Sequence, residues 1–170
     1  LLNDRIPDNP EYWVSRVEAS HHDPGTAYVT YTGMRRDDFR PFVYKTTDYG
    51  ESWTSLAAGL PDGPVNVIQE HHDNPDVLVV GTDFGVYVTV DGGGSWVAMK
   101  NEMPTNPVHD LKIHPREDDL IVATHGRGLY IADISALGPM TPDVLASAAL
   151  FFEPDAKVRW QHADLAHSGS

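Results

Sequence analysis

Three times along this chain an alternating segment gives way to a polar turn and then to an almost continuous apolar run. The first unit is Val14-Ser15-Arg16-Val17-Glu18-Ala19, then His21-His22-Asp23-Pro24, then Ala27-Tyr28-Val29-Thr30-Tyr31. The second is Val65-Asn66-Val67-Ile68-Gln69-Glu70, then His71-His72-Asp73-Asn74-Pro75, then Val77-Leu78-Val79-Val80-Gly81. The third is Val108-His109-Asp110-Leu111-Lys112-Ile113, then His114-Pro115, then Leu120-Ile121-Val122-Ala123-Thr124. Alternation suits a strand with one wetter face, and an apolar run suits a strand covered on both. Each unit continues into a third strand: Phe42-Val43-Tyr44, Val86-Tyr87-Val88 and Gly128-Leu129-Tyr130-Ile131-Ala132-Asp133. His22 to His72 is 50 residues and His72 to His114 is 42, so His21-His22 and His71-His72 are expected in equivalent turns. The longer first unit is explained by an insertion, Thr32 to Pro41, between its second and third strands.

After the third strand of the first two units comes one repeated phrase. It reads Thr46-Thr47-Asp48-Tyr49-Gly50-Glu51-Ser52-Trp53, and 43 positions later Thr89-Val90-Asp91-Gly92-Gly93-Gly94-Ser95-Trp96. A compact loop between twisted antiparallel strands needs a positive φ, which Gly50 and Gly93 supply without a Cβ clash. Asp48 and Asp91 can turn their carboxylates back onto loop N–H groups, with Ser52 and Ser95 adding hydroxyl donors. Trp53 and Trp96 then lead into the next strand and bury a large ring between neighbouring sheets. These residues are expected to be structural.

A period of 40 to 50 residues with four short strands per unit reads as a β-propeller. The expected fold is all-β: a partial propeller of about three four-stranded antiparallel blades, at about 12–60, 61–103 and 104–135. The third unit leaves the repeat without the loop phrase. Residues 136–170 form an extension packing on the propeller or on a partner, with one short helix. Thr141-Pro142-Asp143 is a good helix start, an N-cap followed by proline, and the helix is expected to run to about Ser147. Leu150-Phe151-Phe152 and Val158-Arg159-Trp160 read as short strands, and the tail from Ala166 to Ser170 as loose.

The 170 residues suit a single domain, and a hydrophobic share of 41 % is enough for a core. With 12 basic against 25 acidic residues, the net charge of −13 disfavours sequence-independent nucleic-acid binding. Arg35, Arg36 and Arg40 form the only dense basic spot, interrupted by Asp37 and Asp38, and read as a solvated loop. There are no cysteines, so disulfides and thiolate metal sites are excluded. No apolar run approaches the roughly 18 residues of a membrane span. The start, Leu1-Leu2-Asn3-Asp4, has neither Met nor a leader-like pattern, and is expected to follow a removed segment.

The loop phrase matches the Asp-box, and from Trp13 to about Trp160 the chain resembles the bacterial sortilin-like (VPS10-type) BNR-repeat propeller proteins. Further stretches carry the likeness: Asp37 to Asp48 before the first box, Gly59-Leu60-Pro61 with Val65-Asn66-Val67-Ile68, and Gly81-Thr82-Asp83-Phe84-Gly85-Val86-Tyr87. Ala123 to Asp133 resembles the phrase that closes the propeller, and Leu150 to Pro154 the exit strand after it. Such propellers have many more blades, so the resemblance implies the final part of a ring. It also implies a non-catalytic scaffold or interaction module, a peripheral subunit of an assembly on the periplasmic or extracellular side. No functional residue carries over. Three blades cannot close, so both lateral faces are expected to expose apolar surface to a protein partner.

Two chemistries compete with that expectation. A sialidase-like glycosidase shares the Asp-box, and Phe39-Arg40-Pro41-Phe42 faintly resembles its arginine motif. It needs further arginines and a nucleophile, and no such set can be picked out. The histidine pairs suggest a metal, but adjacent residues on extended chain point opposite ways, and His125 fits local packing. Histidines that cap strand ends are the expectation, with no metal and no cofactor.

Overall fold

The computed structural model describes residues 2–8, 11–100, 105–147, 149 and 151. The first sheet holds β1 (Trp13–Ala19), β2 (Ala27–Gly33), β3 (Asp38–Thr46) and β4 (Thr54–Ser55) in chain order. The second holds β5 (Val65–Glu70), β6 (Leu78–Thr82), β7 (Gly85–Thr89) and β8 (Val97–Ala98), also in chain order. The third has β9 (Val108–Ile113), β10 (Asp119–Thr124) and β11 (Gly128–Asp133), and among the described residues β11 is its edge. All pairings are antiparallel. β5 packs against β1 and β2 on one side and against β9 on the other, so the first strand of each sheet is innermost. The fold is a partial β-propeller of two four-stranded blades and one three-stranded blade.

Apolar side chains from facing sheets build the seams. Tyr28 and Val43 of blade 1 meet Ile68, Leu78 and Val80 of blade 2, with Leu56 of the connector. Val67, Val79 and Val86 of blade 2 meet Val108, Leu111, Leu120 and Val122 of blade 3. This is why β6 is apolar from Leu78 to Gly81: both of its faces are covered. Gly81 lets the second seam close, since a Cβ there would lie 2.5 Å from Val108 and 2.7 Å from Val67. Gly81→Ala should cost about 1–3 kcal/mol through overpacking, read as a lower denaturant midpoint at unchanged slope.

The insertion in blade 1 is partly strand, because β3 begins inside it at Asp38 after a 3-10 turn at Met34–Arg36. Asp37 takes a left-handed conformation, φ 57°, to reverse the chain between them. Beyond blade 3, Asn74 donates to the carbonyls of Gly138 (3.0 Å) and Met140 (3.1 Å), fastening the exit segment under the turn of blade 2. The helix α1 (Pro142–Leu145) follows, with Thr141 Oγ1 accepting from Val144 N at 3.4 Å. It is shorter than expected; the Ser147 hydroxyl turns back onto the Val144 carbonyl at its end (2.7 Å). The short strands expected around Leu150–Phe152 and Val158–Trp160, and the loose tail, lie outside the described residues, apart from Phe151, which is in no strand.

Candidate interaction surface and the Asp-box loops

The two Asp-boxes superpose bond for bond. Thr46 Oγ1 donates to Asp48 Oδ1 (2.8 Å) and accepts from Gly50 N (2.9 Å). Asp48 then accepts from Ser52 N at Oδ1 (2.9 Å) and from the Ser52 hydroxyl at Oδ2 (2.6 Å). Thr89, Asp91, Gly93 and Ser95 repeat this at 2.6, 3.0, 2.9 and 2.6 Å. Each loop uses two successive left-handed residues: Tyr49 (φ 60°) with Gly50 (φ 84°), and Gly92 (φ 68°) with Gly93 (φ 100°). The first of each pair escapes the sequence pattern because Tyr49 is not a glycine. Trp96 Nε1 donates to the Leu56 carbonyl (2.9 Å), whereas the buried Trp53 Nε1 has no hydrogen-bond partner among the described residues.

These bonds hold both carboxylates low. Donation from Ser52, then from Thr46, brings Asp48 to about 2, and donation from Ser95 and Thr89 does the same for Asp91. Since the folded values lie below the unfolded value near 3.9, the stabilisation is complete above about pH 5 and is lost as pH falls toward 2. Denaturant midpoints at about pH 7 and about pH 3 should fall for the wild-type chain and fall less for Asp91→Asn.

The histidine turns are equivalent, but the residue register differs from the sequence expectation by one. Ser20, His71 and His114 stand at the same place, each N–H bonding across its turn to Thr26, Val77 and Asp119. Ser20 Oγ accepts from His22 N and Asp23 N, His71 Nδ1 from Asp73 N (3.2 Å), and His114 Nδ1 from Glu117 N (3.2 Å). The one-residue slip arises because the alignment followed the His-His pairs, whereas Pro24 and Pro75 keep the true spacing. His71 and His72 do not point opposite ways, since the chain is already turning: their rings stack at 4.7 Å and 12°.

His71, His72 and Asp118 bring ligand-type atoms within 4.8 Å of one another. Parallel rings send their lone pairs side by side and not toward one ion. His71 Nδ1 also accepts a backbone N–H, which places the proton of the neutral ring on Nε2, 3.7 Å from Asp118. Burial lowers the His71 pKa, keeping that ring neutral. The cluster, with His72 Nε2 3.0 Å from Asp118, is a polar junction between the turns of blades 2 and 3.

Arg40, the residue most like a sialidase arginine, is occupied. It grips Asp38 through Nε (3.0 and 3.2 Å) and Nη2 (2.7 Å), and Tyr12 donates to the same carboxylate (2.8 Å). Arg40 holds the Asp38 carboxyl far below the usual range. Arg35 lies over the Trp13 ring and Arg36 over Tyr12, so the basic spot is spread over aromatic faces. A shallow cavity of about 250 Å³ beside Trp13 and Arg35 also touches Asn66, Asp83 and His109.

The sequence pattern did not single out Glu70. It is buried at the end of β5 and accepts from Tyr28 OH (2.7 Å), the Ser20 hydroxyl (3.0 and 2.8 Å) and His21 N (2.7 Å). A carboxylate ending an alternating strand was the available signal. It locks blade 2 to the turn of blade 1.

The outer faces are unlike the seams. Strand register makes Leu129 the counterpart of Val86 and Ile131 that of Val88. Val86 is 2 % exposed in the seam, while Leu129 is 70 % and Ile131 67 % exposed. On blade 1, Val14 and Val17 correspond to Val65 and Ile68. The latter two are fully buried, against 50 % and 65 % for Val14 and Val17. The rest of that face is covered by the chain's own Ile6 and Tyr12, which pack on Val29, Tyr31, Phe42 and Tyr44. Both lateral faces therefore expose apolar side chains, blade 1 over its inner part only. Among the described residues no helix is long and apolar enough to cross a membrane.

Comparison with known proteins agrees with this architecture. The chain is similar to an ancestral GH74 enzyme (TM-score 0.57, 24% identity, 72% of this chain and 15% of that one). It is also similar to the GH74 enzyme of Niastella koreensis (0.56, 15% identity, 71% and 21%). A third similar structure is YCF48 bound to D1 peptide (0.53, 19% identity, 76% and 38%). The chain thus spans well under half of each of these proteins, and at such identities the likeness is one of fold. The search of curated proteins gives no match. The family profile described as Sortilin, neurotensin receptor 3 (Sortilin-Vps10) matches residues 42–167. Taken with the paired Asp-boxes and the stacked blades, this means that the chain belongs to the Sortilin-Vps10 family.

Proposed function

We propose that this chain is a non-catalytic interaction module, a stretch of propeller that acts as a scaffold or peripheral subunit in an extracytoplasmic assembly. The observation that carries this reading is the face of blade 3, where Leu129 and Ile131 stand in solvent although their counterparts in blade 2 are buried (Val86) and half-buried (Val88). Contiguous apolar surface of this kind marks protein contact. The edge of β11 beside it, unpaired among the described residues, offers backbone donors and acceptors to an incoming strand. A propeller of similar fold, YCF48, is seen with a bound peptide, which supports a binding role for this architecture. The GH74 neighbours are enzymes, but Arg40, the arginine of the faint sialidase-like motif, is engaged by Asp38.

Cross-linking mass spectrometry of the native assembly tests the reading. Contacts to another protein should map to β10 and β11, and Leu129→Asp should remove them. Turnover of a fluorogenic glycoside panel, abolished by Arg40→Ala, would replace the scaffold reading with a hydrolase.

A further inference from the structure

The cavity of about 250 Å³ beside Trp13 is lined by all three blades, each from the same end of its sheet. Trp13 opens β1 opposite Thr32, and Arg35 stands in the 3-10 turn that follows β2. Asn66 is the residue bulged out of β5, Asp83 begins the turn between β6 and β7, and His109 is the residue bulged out of β9. A bulge re-aims a side chain that the ladder would otherwise fix. Because the lining comes from all three blades, what adjoins the outer faces of blades 1 and 3 does not define this cavity.

The polar groups there are only partly used. Asn66 Nδ2 gives its two hydrogens to Asp83 Oδ1 (2.8 Å) and to the Val108 carbonyl (3.1 Å), which leaves Asn66 Oδ1 as an acceptor. Asp83 Oδ2, the Thr32 hydroxyl and the ring nitrogens of His109 bond no described residue. Arg35 has no carboxylate partner among the described residues, and its guanidinium lies 4.7 Å over the Trp13 ring. Trp13 is 63 % exposed even so, which leaves a broad apolar surface open beside the free donors and acceptors.

We infer that this cavity binds one neutral pyranose ring, a sugar standing alone or carried in a glycan. Asp83 repels a carboxylate or a phosphate, and Arg35 repels an ammonium. A ring of hydroxyls satisfies both, because each hydroxyl can donate to an acceptor and accept from a donor. The C–H face of the same ring is apolar and suits an indole, the combination of aromatic wall and few polar groups that small-molecule sites use. Size follows from the volume: below the roughly 300–1,000 Å³ of drug-sized sites, it takes one ring and not a run of them. Asp83 and Asn66 accept from hydroxyls, Arg35 donates to one, and Trp13 carries the ring. His109, braced by its stack on His125 at 5.0 Å, adds a ring nitrogen. The site binds and does not cleave: Asp83 is the one carboxylate among the described residues that line it, whereas glycoside cleavage uses a pair. It lies apart from β11, so it stands or falls independently of the protein contact proposed there.

Saturation-transfer difference NMR of the chain tests this, with the methyl glycosides of glucose, galactose, mannose and xylose, and with triglycine and uridine beside them. At least one glycoside should show transfer to its ring protons. Trp13→Ala and Asp83→Asn should each weaken that glycoside about tenfold at unchanged thermal unfolding. Trp13 faces solvent, and the Asp83→Asn change keeps an oxygen for Asn66 while turning the free acceptor into a donor. No transfer from any glycoside at about 10 mM, enough to reveal a millimolar site, overturns the inference. So does binding that both variants leave intact, which would put the sugar elsewhere on the molecule. Transfer to triglycine or uridine with none to the glycosides also overturns it, and gives the cavity to a peptide or a nucleoside.

Discussion

Replacing Glu70 with alanine should lower the unfolding free energy by about 3–5 kcal/mol. The change strands Tyr28 OH, the Ser20 hydroxyl and the His21 N–H, all pointing at a space that water fills poorly. At this chain length, about 2–4 °C per kcal/mol brings the melting temperature down by on the order of 10 °C. Glu70→Gln separates charge from geometry: it keeps an acceptor oxygen but adds two donors with no carbonyl to meet. Its loss should fall between wild type and alanine. Tyr28→Phe removes a single donor and should cost only about 1 kcal/mol. Thermal and urea unfolding of the three variants checks the order, and an alanine variant as stable as the wild type would remove Glu70 from the account of the first seam.

The second large effect lies in the Asp-box tryptophans, which are alike in sequence and unlike in setting. Trp96→Ala should cost about 2–4 kcal/mol, because the half-buried ring packs at the seam of blades 1 and 2 and its Nε1–H bonds the Leu56 carbonyl. Phenylalanine is the sharper probe. Trp96→Phe gives up that bond and about 1–2 kcal/mol with it. Trp53→Phe should cost less, because among the described residues the buried Trp53 Nε1 has no bond to lose. Equal losses at the two positions would mean that the indole bond contributes nothing to the seam.

Much of this could be read from the chain itself. The period, the alternation of Val14 to Ala19 against the apolar run of Leu78 to Gly81, and the Thr-Asp-Gly-Ser-Trp loops follow from geometry that any antiparallel blade imposes locally. The seams were harder, since they depend on which strand meets which. Ser15 and Asn66, each at a bulge of its strand, are different residue types making the same bond to the next blade's inner strand, so no motif connects them. Glu70 looked like the polar end of a strand, and its three donors come from residues 42 to 50 positions earlier. His21-His22 and His71-His72 repeat at 50 residues, whereas the turn itself repeats at 51, from Ser20 to His71, so identical residues do not occupy identical places. The faint arginine motif around Arg40 gave no sign that Asp38, two residues before it, takes its Nε and Nη2.

The two seams differ in kind, and cooperativity follows from that difference. Blade 1 and blade 2 share a buried carboxylate whose donors all lie across the boundary, so neither can open without exposing the other's unmet polar groups. They should melt as a single unit. Blade 3 is held by apolar packing, joined by the Asn66 bond, the Arg16–Asp110 ion pair and the half-buried contact of His72 with Asp118, and such contacts can loosen in steps. Amide hydrogen exchange should therefore be fastest along β11, slower in β9, and slowest in β5, an ordering set by the chemistry of the joints between sheets that look interchangeable in outline.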